Sequence, residues 1–210
     1  HSLAFRAGGT TRALDLGEIM RAKAILADVR AFAEGPLFGA RLETVAEISG
    51  IADLDRAAGG VSDFAAFLRL AEALRLHELG RGPGLAMSVG AYPGMGLAGE
   101  AGGPARATSE PDIEREGAYS WAKAPRYEGR AVEVGAAARQ LIDGSPLAAA
   151  LVGAAGGIGV AARVVSRLVE AARVLIEMER WIVGFERGAP FCAEATMQTD
   201  GSGVGLVEAA

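Results

Sequence analysis

One stretch of the sequence, YSWAKAPRYEGRAVEVG at residues 119–135, gathers cationic and anionic side chains around a proline. Lys123 and Arg126 are cationic and Glu133 is anionic, while Pro125 favours an extended backbone at the residue before it. Charged groups that are buried together must pair, because an unpaired buried charge is strongly destabilising. The stretch therefore has two interpretations: an ion network around a rigid turn, or a turn that supports a cofactor bound mainly by other residues.

Few other residues could act as nucleophiles or metal ligands. The single cysteine, Cys192, excludes an internal disulfide and any paired-thiolate metal motif in this sequence. We expect it to behave as a small buried apolar residue rather than a nucleophile. The two histidines, His1 and His77, are too few for a metal site without further ligands. His77 falls near the end of a predicted helix, where an imidazolium would stabilise the helix C-terminus.

The sequence lacks the motifs of the common nucleotide-binding and hydrolase sites. The sequence contains no P-loop, no GxSxG nucleophile elbow, no HExxH and no CxxC. The run GAAGGIGVAA superficially resembles a dinucleotide-binding loop, but no strand precedes it. We predict that this run is a flexible link between two helices.

Charge and hydropathy exclude further classes of protein. The 210 residues carry a formal net charge of -5 and no basic stripe, which argues against a nucleic-acid surface. The apolar run at 158–178 contains several charged residues, which favours an amphipathic helix over a membrane span. The sequence opens without methionine or a signal-peptide pattern, so we expect an internal fragment. A cytoplasmic location is the default expectation, with membrane association only through partner subunits.

Apolar positions spaced three or four residues apart predict a mainly helical fold with a few short strands. Asp15 can cap the first helix, and Ser62 or Asp63 can cap the third. Residues 85–117 are rich in glycine and proline, which predicts a long loop or insertion with a short strand at 85–92. Helices are predicted at 17–33, 41–48 and 63–79, within 135–144 and 145–156, and at 159–183, with a final strand in GVGLVEA.

The helix predicted at 159–183 has one apolar face and one charged face. The charged residues are spaced for pairing within the helix: Arg167, Glu170, Arg173 and Glu177. Exposed pairs of this kind contribute little to stability. We therefore predict that this face is a solvated or interface-facing stripe and not a binding site.

The stretch at 119–135 resembles the central motif of nickel-iron hydrogenase large subunits. The residues that carry this resemblance are Tyr119, Trp121, Lys123–Tyr127, Gly129, Glu133–Gly135, Ala138 and Arg139. Family members commonly have EVGPLAR where this sequence has EVGAAAR, so Ala136 replaces a proline. The closing GVGLVEAA resembles the start of a second family motif, with Ala210 in place of a proline. Together with GRGPG, it is more similar to the uptake and hydrogen-sensing branch.

The resemblance implies a mainly α, multi-helix core of a hydrogenase large subunit, with residues 1–210 forming a single partial domain. It implies reversible oxidation of H2 to protons and electrons at a nickel-iron centre whose iron carries cyanide and carbon monoxide. An iron-sulfur small subunit is the implied partner and takes the electrons.

The metal ligands of the family are four cysteines in two CxxC pairs, and soft thiolates suit such a centre. Neither pair is present in this sequence. We therefore assign no catalytic or metal-ligating residue, and we expect this chain alone to be inactive. We assign a supporting role around the site to Lys123, Arg126, Glu133 and Glu208.

Three alternatives to a hydrogen-oxidising enzyme stay open at the level of the sequence. A regulatory hydrogenase subunit would sense H2 and signal through a protein partner. The hydrogenase-related subunit of NADH:quinone oxidoreductase keeps the fold and lacks the metal cysteines, although KAPRYEGRAVEVG is more similar to hydrogenases. An alanine-rich helical interaction module explains neither the motif nor the chain ends.

Overall fold

The computed structural model describes residues 3–6, 8–88, 107–108, 116–117, 126–186 and 188–193. These residues form seven α-helices, a π-helical turn and five short strands, so the prediction of a mainly helical fold is confirmed. No helix within them is long and apolar enough to cross a membrane. In chain order the elements are β1 (Phe5–Arg6), β2 (Gly9–Thr10), α1 (Leu16–Phe32), the π-helical turn (Ala33–Leu37), α2 (Leu42–Ala46), α3 (Ile51–Ala58), α4 (Asp63–Ala73), β3 (Ala107–Thr108), β4 (Arg126–Tyr127), β5 (Arg130–Ala131), α5 (Ala136–Ile142), α6 (Pro146–Ala155) and α7 (Val160–Val183).

Helix α1 begins with the cap that the sequence predicts. Asp15 Oδ1 accepts a hydrogen bond from the Glu18 N–H at 2.8 Å, and Glu18 Oε2 accepts one from the Asp15 N–H at 2.9 Å. This reciprocal capping box satisfies two N–H groups that have no partner within the helix. At its other end α1 continues into the π-helical turn, after which the Phe38 ring packs edge-on against Phe64 at a centroid distance of 5.8 Å.

Helix α4 ends at Ala73, so the predicted extension to Leu79 is wrong. Arg75 has a left-handed φ of 52°, which a right-handed helix cannot accommodate. Beyond it, the carbonyl groups of Leu76 and Leu79 accept hydrogen bonds from the first N–H groups of α7, at 3.3 and 3.0 Å. The segment after α4 therefore caps another helix instead of extending its own.

Helix α3 has no counterpart among the helices predicted from the sequence. Asp53 accepts hydrogen bonds from the N–H groups of Ser49 and Gly50 at 2.9 and 3.2 Å, which fixes the start of the helix. Leu54 faces the core from this helix and is buried. A carboxylate three residues after Gly50 is the pattern that could have predicted this start.

Helix α7 is the element around which the others pack. Helices α1, α2, α5 and α6 all contact it, and the prediction of a long helix at 159–183 is confirmed. The core joins residues from both halves of the chain: Ala33, Phe38, Leu42, Val45, Ile48, Leu54, Phe64, Leu147, Val165, Val169 and Ala172. Burial of such side chains contributes roughly 1.5–3 kcal/mol each for the larger ones.

Two small antiparallel sheets complete the described fold. Strands β1 and β2 form a hairpin, and Gly9 in β2 also bridges Cys192 near the end of the described chain. Strands β3, β4 and β5 form the second sheet in that order. Most of the predicted insertion at 85–117, and the strand predicted in GVGLVEA, lie outside the described residues.

Candidate functional site

The motif at 119–135 is described from Arg126 onward, where it forms the hairpin of β4 and β5. Glu128 and Gly129 make the turn with left-handed φ angles of 50° and 75°, as in two-residue turns that match the twist of the paired strands. Tyr127 on β4 is buried against Met87 and Val132. Its hydroxyl has no hydrogen-bond partner among the described residues. The hairpin thus places an aromatic residue of the motif inside the protein.

Glu133 joins the motif to the segment GRGPGLAM. Its N–H donates to the Leu85 carbonyl at 2.8 Å, and its own carbonyl accepts the Met87 N–H at 2.9 Å. These two bonds form a parallel bridge opposite Ala86. Within the described residues, the strand predicted at 85–92 is limited to this bridge.

The Glu133 side chain is held by Arg163 in the first turn of α7. Arg163 Nε and Nη2 donate to the two carboxylate oxygens at 2.7 and 2.8 Å, and Nη1 donates to the Gly80 carbonyl at 2.7 Å. The hydrogen bonds to Glu133, together with its negative charge, raise the pKa of Arg163 against the opposing effect of burial. We call this meeting of residues 79–88, residues 126–135 and the start of α7 the Glu133 junction.

Two glycines allow the close approach of the three segments. A Cβ on Gly82 would collide with the Glu133 carboxylate and would lie 2.8 Å from Arg163 Nη2. A Cβ on Gly159 would lie 2.8 Å from the His77 carbonyl oxygen. The Gly82 N–H also donates to the Ile158 carbonyl at 3.0 Å. The glycine-rich run before α7, predicted as a helix link, is therefore also a packing surface for residues 77–82.

A second ion pair fastens the motif to α7, and it corrects the prediction that Glu170 pairs within the helix on a solvated or interface-facing stripe. Arg139 Nε and Nη2 donate to the Glu170 carboxylate at 2.8 and 2.6 Å, and both residues are buried. Arg173 donates instead to the Ala46 carbonyl at 3.2 Å. Helices α5 and α2 cover part of this face, so Glu170 and Arg173 bond to neighbouring elements. The exposed Glu177, in contrast, pairs along the helix with Arg180.

The structure locates two of the four predicted supporting residues. Glu133 lies at the junction, and Arg126 is a half-buried residue of β4, opposite Ala131. Lys123 and Glu208 lie outside the described residues.

Arg163 is the residue at this site that the sequence does not single out. In the sequence it is one of several charges on an amphipathic helix. Complementary charges at matching positions of the motif and α7 could have identified Arg163 from the sequence. Glu133 and Arg139 of the motif meet Arg163 and Glu170, which stand two turns apart on one side of α7.

The described residues do not form a metal-binding set. They contain no group of three or more His, Cys, Asp or Glu side chains placed to hold a metal ion. Cys192 is half-buried beside Gly9, and its thiol donates to the Ala193 carbonyl at 3.4 Å. His77 is not at a helix C-terminus as predicted, because α4 ends at Ala73. The chemistry of these donors does not fit a thiolate-bound nickel centre.

The fold is mainly helical, and two ion pairs hold the part of the motif described here against its longest helix. A comparison with protein-family models finds the nickel-dependent hydrogenase family over residues 98–209. The match covers more than half of the chain and includes both the motif and α7. This chain belongs to the nickel-dependent hydrogenase family.

Proposed function

We propose that residues 1–210 are a single partial domain, the central part of a hydrogenase large subunit that reversibly oxidises H2 to protons and electrons. The family match over 98–209 is the observation that carries the proposal. The proposed centre contains nickel and iron, with cyanide and carbon monoxide on the iron. Its cysteine ligands would lie outside this sequence, which holds one cysteine.

The proposed task of the described residues is support. At the Glu133 junction the carboxylate is fully engaged with Arg163, and on α5 the Arg139 guanidinium is engaged with Glu170. Side chains committed to such bidentate pairs are suited to holding a loop in place. We assign the same supporting role to Lys123, Arg126, Glu133 and Glu208, and we assign no reaction step to them.

An iron-sulfur small subunit is the proposed partner and electron acceptor. A large subunit of this class is expected in the cytoplasm or at a membrane through partner subunits. The alternatives are a hydrogen-sensing subunit that signals through a protein partner and the hydrogenase-related subunit of NADH:quinone oxidoreductase, which lacks the metal cysteines. The experiment must therefore measure the rate of H2 oxidation and the metal content independently.

The test is expression of the complete parent gene together with a gene for an iron-sulfur small subunit, followed by two measurements on the purified protein. The first is nickel content, and the second is H2-dependent reduction of a viologen dye. Bound nickel with rapid dye reduction supports the enzyme. Bound nickel with very slow reduction, together with capture of a signalling partner, would replace the enzyme with a sensor. Absence of nickel from a folded, complete protein would overturn the proposal.

A further inference from the structure

Three chain segments that are distant in sequence meet at a single side chain. Arg163 contacts the Gly80 carbonyl from one segment and the Glu133 carboxylate from another, and it belongs to α7 itself. The Arg163 side chain retains 31% of its exposure and that of Glu133 retains 11%. The carboxylate is thus largely removed from water, where an ion pair with good geometry matters more than it does at an open surface.

We infer that Arg163 is a positioning residue, which fixes the hairpin motif and the GRGPGLAM segment in one register by acting through Glu133. The statement that the motif supports a metal centre rests on the proposed function. The statement that Arg163 holds the motif in place rests on the contacts alone. The backbone of Glu133 carries the bridge to Leu85 and Met87, so a fixed side chain also fixes this bridge.

The geometry requires arginine rather than a generic cation. Each of the three contacts uses a different nitrogen of the guanidinium, and these nitrogens lie in one rigid plane. A lysine ammonium at this position keeps the charge but loses the planar two-point contact with the carboxylate. Gly82 leaves room for this contact, because a Cβ at position 82 would occupy the space of the Arg163–Glu133 pair.

The test is hydrogen–deuterium exchange on the whole chain, comparing wild type with R163M, R163K, E133Q and the charge swap E133R/R163E. The reporters are the amides of Met87 and Glu133, whose bonds form the bridge. Loss of a charge-assisted hydrogen bond should speed their exchange in R163M by about tenfold or more, with a smaller effect in R163K. The charge swap should restore only part of the protection, because it re-forms the ion pair but leaves the Gly80 carbonyl without its donor.

The matched control is R180M on the same helix, because Arg180 pairs with Glu177 at the exposed end of α7. It should leave the exchange of Met87 and Glu133 unchanged. The inference is overturned if R163K and R163M leave both amides as protected as R180M does. It is also overturned if they speed exchange equally in α1 and α2.

The same variants in the complete enzyme distinguish this inference from the proposed function. H2-dependent dye reduction should fall in R163M and recover in part in the charge swap, while R180M should retain the wild-type rate. If the wild-type protein turns over no H2, the proposed function fails. The exchange data then still decide whether Arg163 positions the motif.

Discussion

Removing one member of the Arg139–Glu170 pair should destabilise the protein far more than removing both. The two side chains retain 9% and 10% of their exposure, and two hydrogen bonds of 2.8 and 2.6 Å join them. Breaking a buried pair by removing one partner leaves an uncompensated charge and costs about 3–5 kcal/mol. Replacing both members with apolar residues of similar size is often close to neutral, because neither charge is then left in the interior.

The perturbations are Arg139→Met, Glu170→Leu and the double variant, in the 210-residue chain. Urea unfolding near neutral pH, followed by circular dichroism, gives the free energy of unfolding of each variant. Each single variant should lose about 3–5 kcal/mol, and the double variant should lie close to wild type. In a thermal scan the single variants correspond to a fall in Tm of about 6–20 °C, at about 2–4 °C per kcal/mol for a chain of this length.

The control is the exposed pair of Arg180 and Glu177 on the same helix, whose side chains retain 69% and 44% of their exposure. Arg180→Met and Glu177→Leu should each change stability by less than about 1 kcal/mol. The reasoning is refuted if Glu170→Leu costs no more than this control. It is equally refuted if the double variant loses the sum of the two single losses, since the residues would then not be coupled.

Further predictions concern acid stability and two glycines. Hydrogen bonding from Arg12, with a further bond from the Asp15 N–H, lowers the pKa of Glu18 to about 2 from an ordinary value of 4.5. The resulting stabilisation is present above about pH 4.5 and is lost as the pH falls toward about 2, so Arg12→Met should flatten the pH dependence of urea unfolding in this window; an unchanged slope would contradict the assignment. Gly159→Ala should destabilise by about 1–3 kcal/mol, because its Cβ would lie 2.8 Å from a backbone carbonyl oxygen that cannot move freely. Gly153→Ala, inside α6 with open space around it, should stabilise the protein by about 0.5–1 kcal/mol. Calorimetry should therefore give Tm shifts of opposite sign for the two glycine variants, and shifts of the same sign would contradict these predictions.

Local pattern accounts for the elements that the sequence predicts correctly. Helix α7 has a sustained apolar period, and α1 has a cap whose two partners stand three residues apart, so both are visible without knowledge of the fold. The end of α4 is not visible in the local pattern. Leu76 and Leu79 continue the apolar spacing of α4, but their carbonyl groups accept hydrogen bonds from the first N–H groups of α7. Tertiary packing decides whether this segment extends α4 or caps α7. The spacing of apolar residues in the sequence carries no information about that packing.

The candidate site shows the same division. The motif is recognisable from its residue types, and Glu133 is one of the supporting positions predicted from it. Its partner is not among those positions, because Arg163 is paired across the fold and its helical neighbours suggest ordinary surface charges. The burial of Glu170 is not predictable for the same reason: α5 covers this residue, and the identity of the covering helix depends on tertiary packing.

The central position of α7 has a consequence for synthesis on the ribosome. The core residues Leu42, Val45 and Phe64 emerge roughly one hundred residues before Val165 and Val169, with which they share one hydrophobic core. At translation rates of about 5–20 residues per second, this interval lasts about 5–20 s. During that time the N-terminal helices expose apolar faces with no native surface to cover them. The core can therefore close only after α7 has left the exit tunnel.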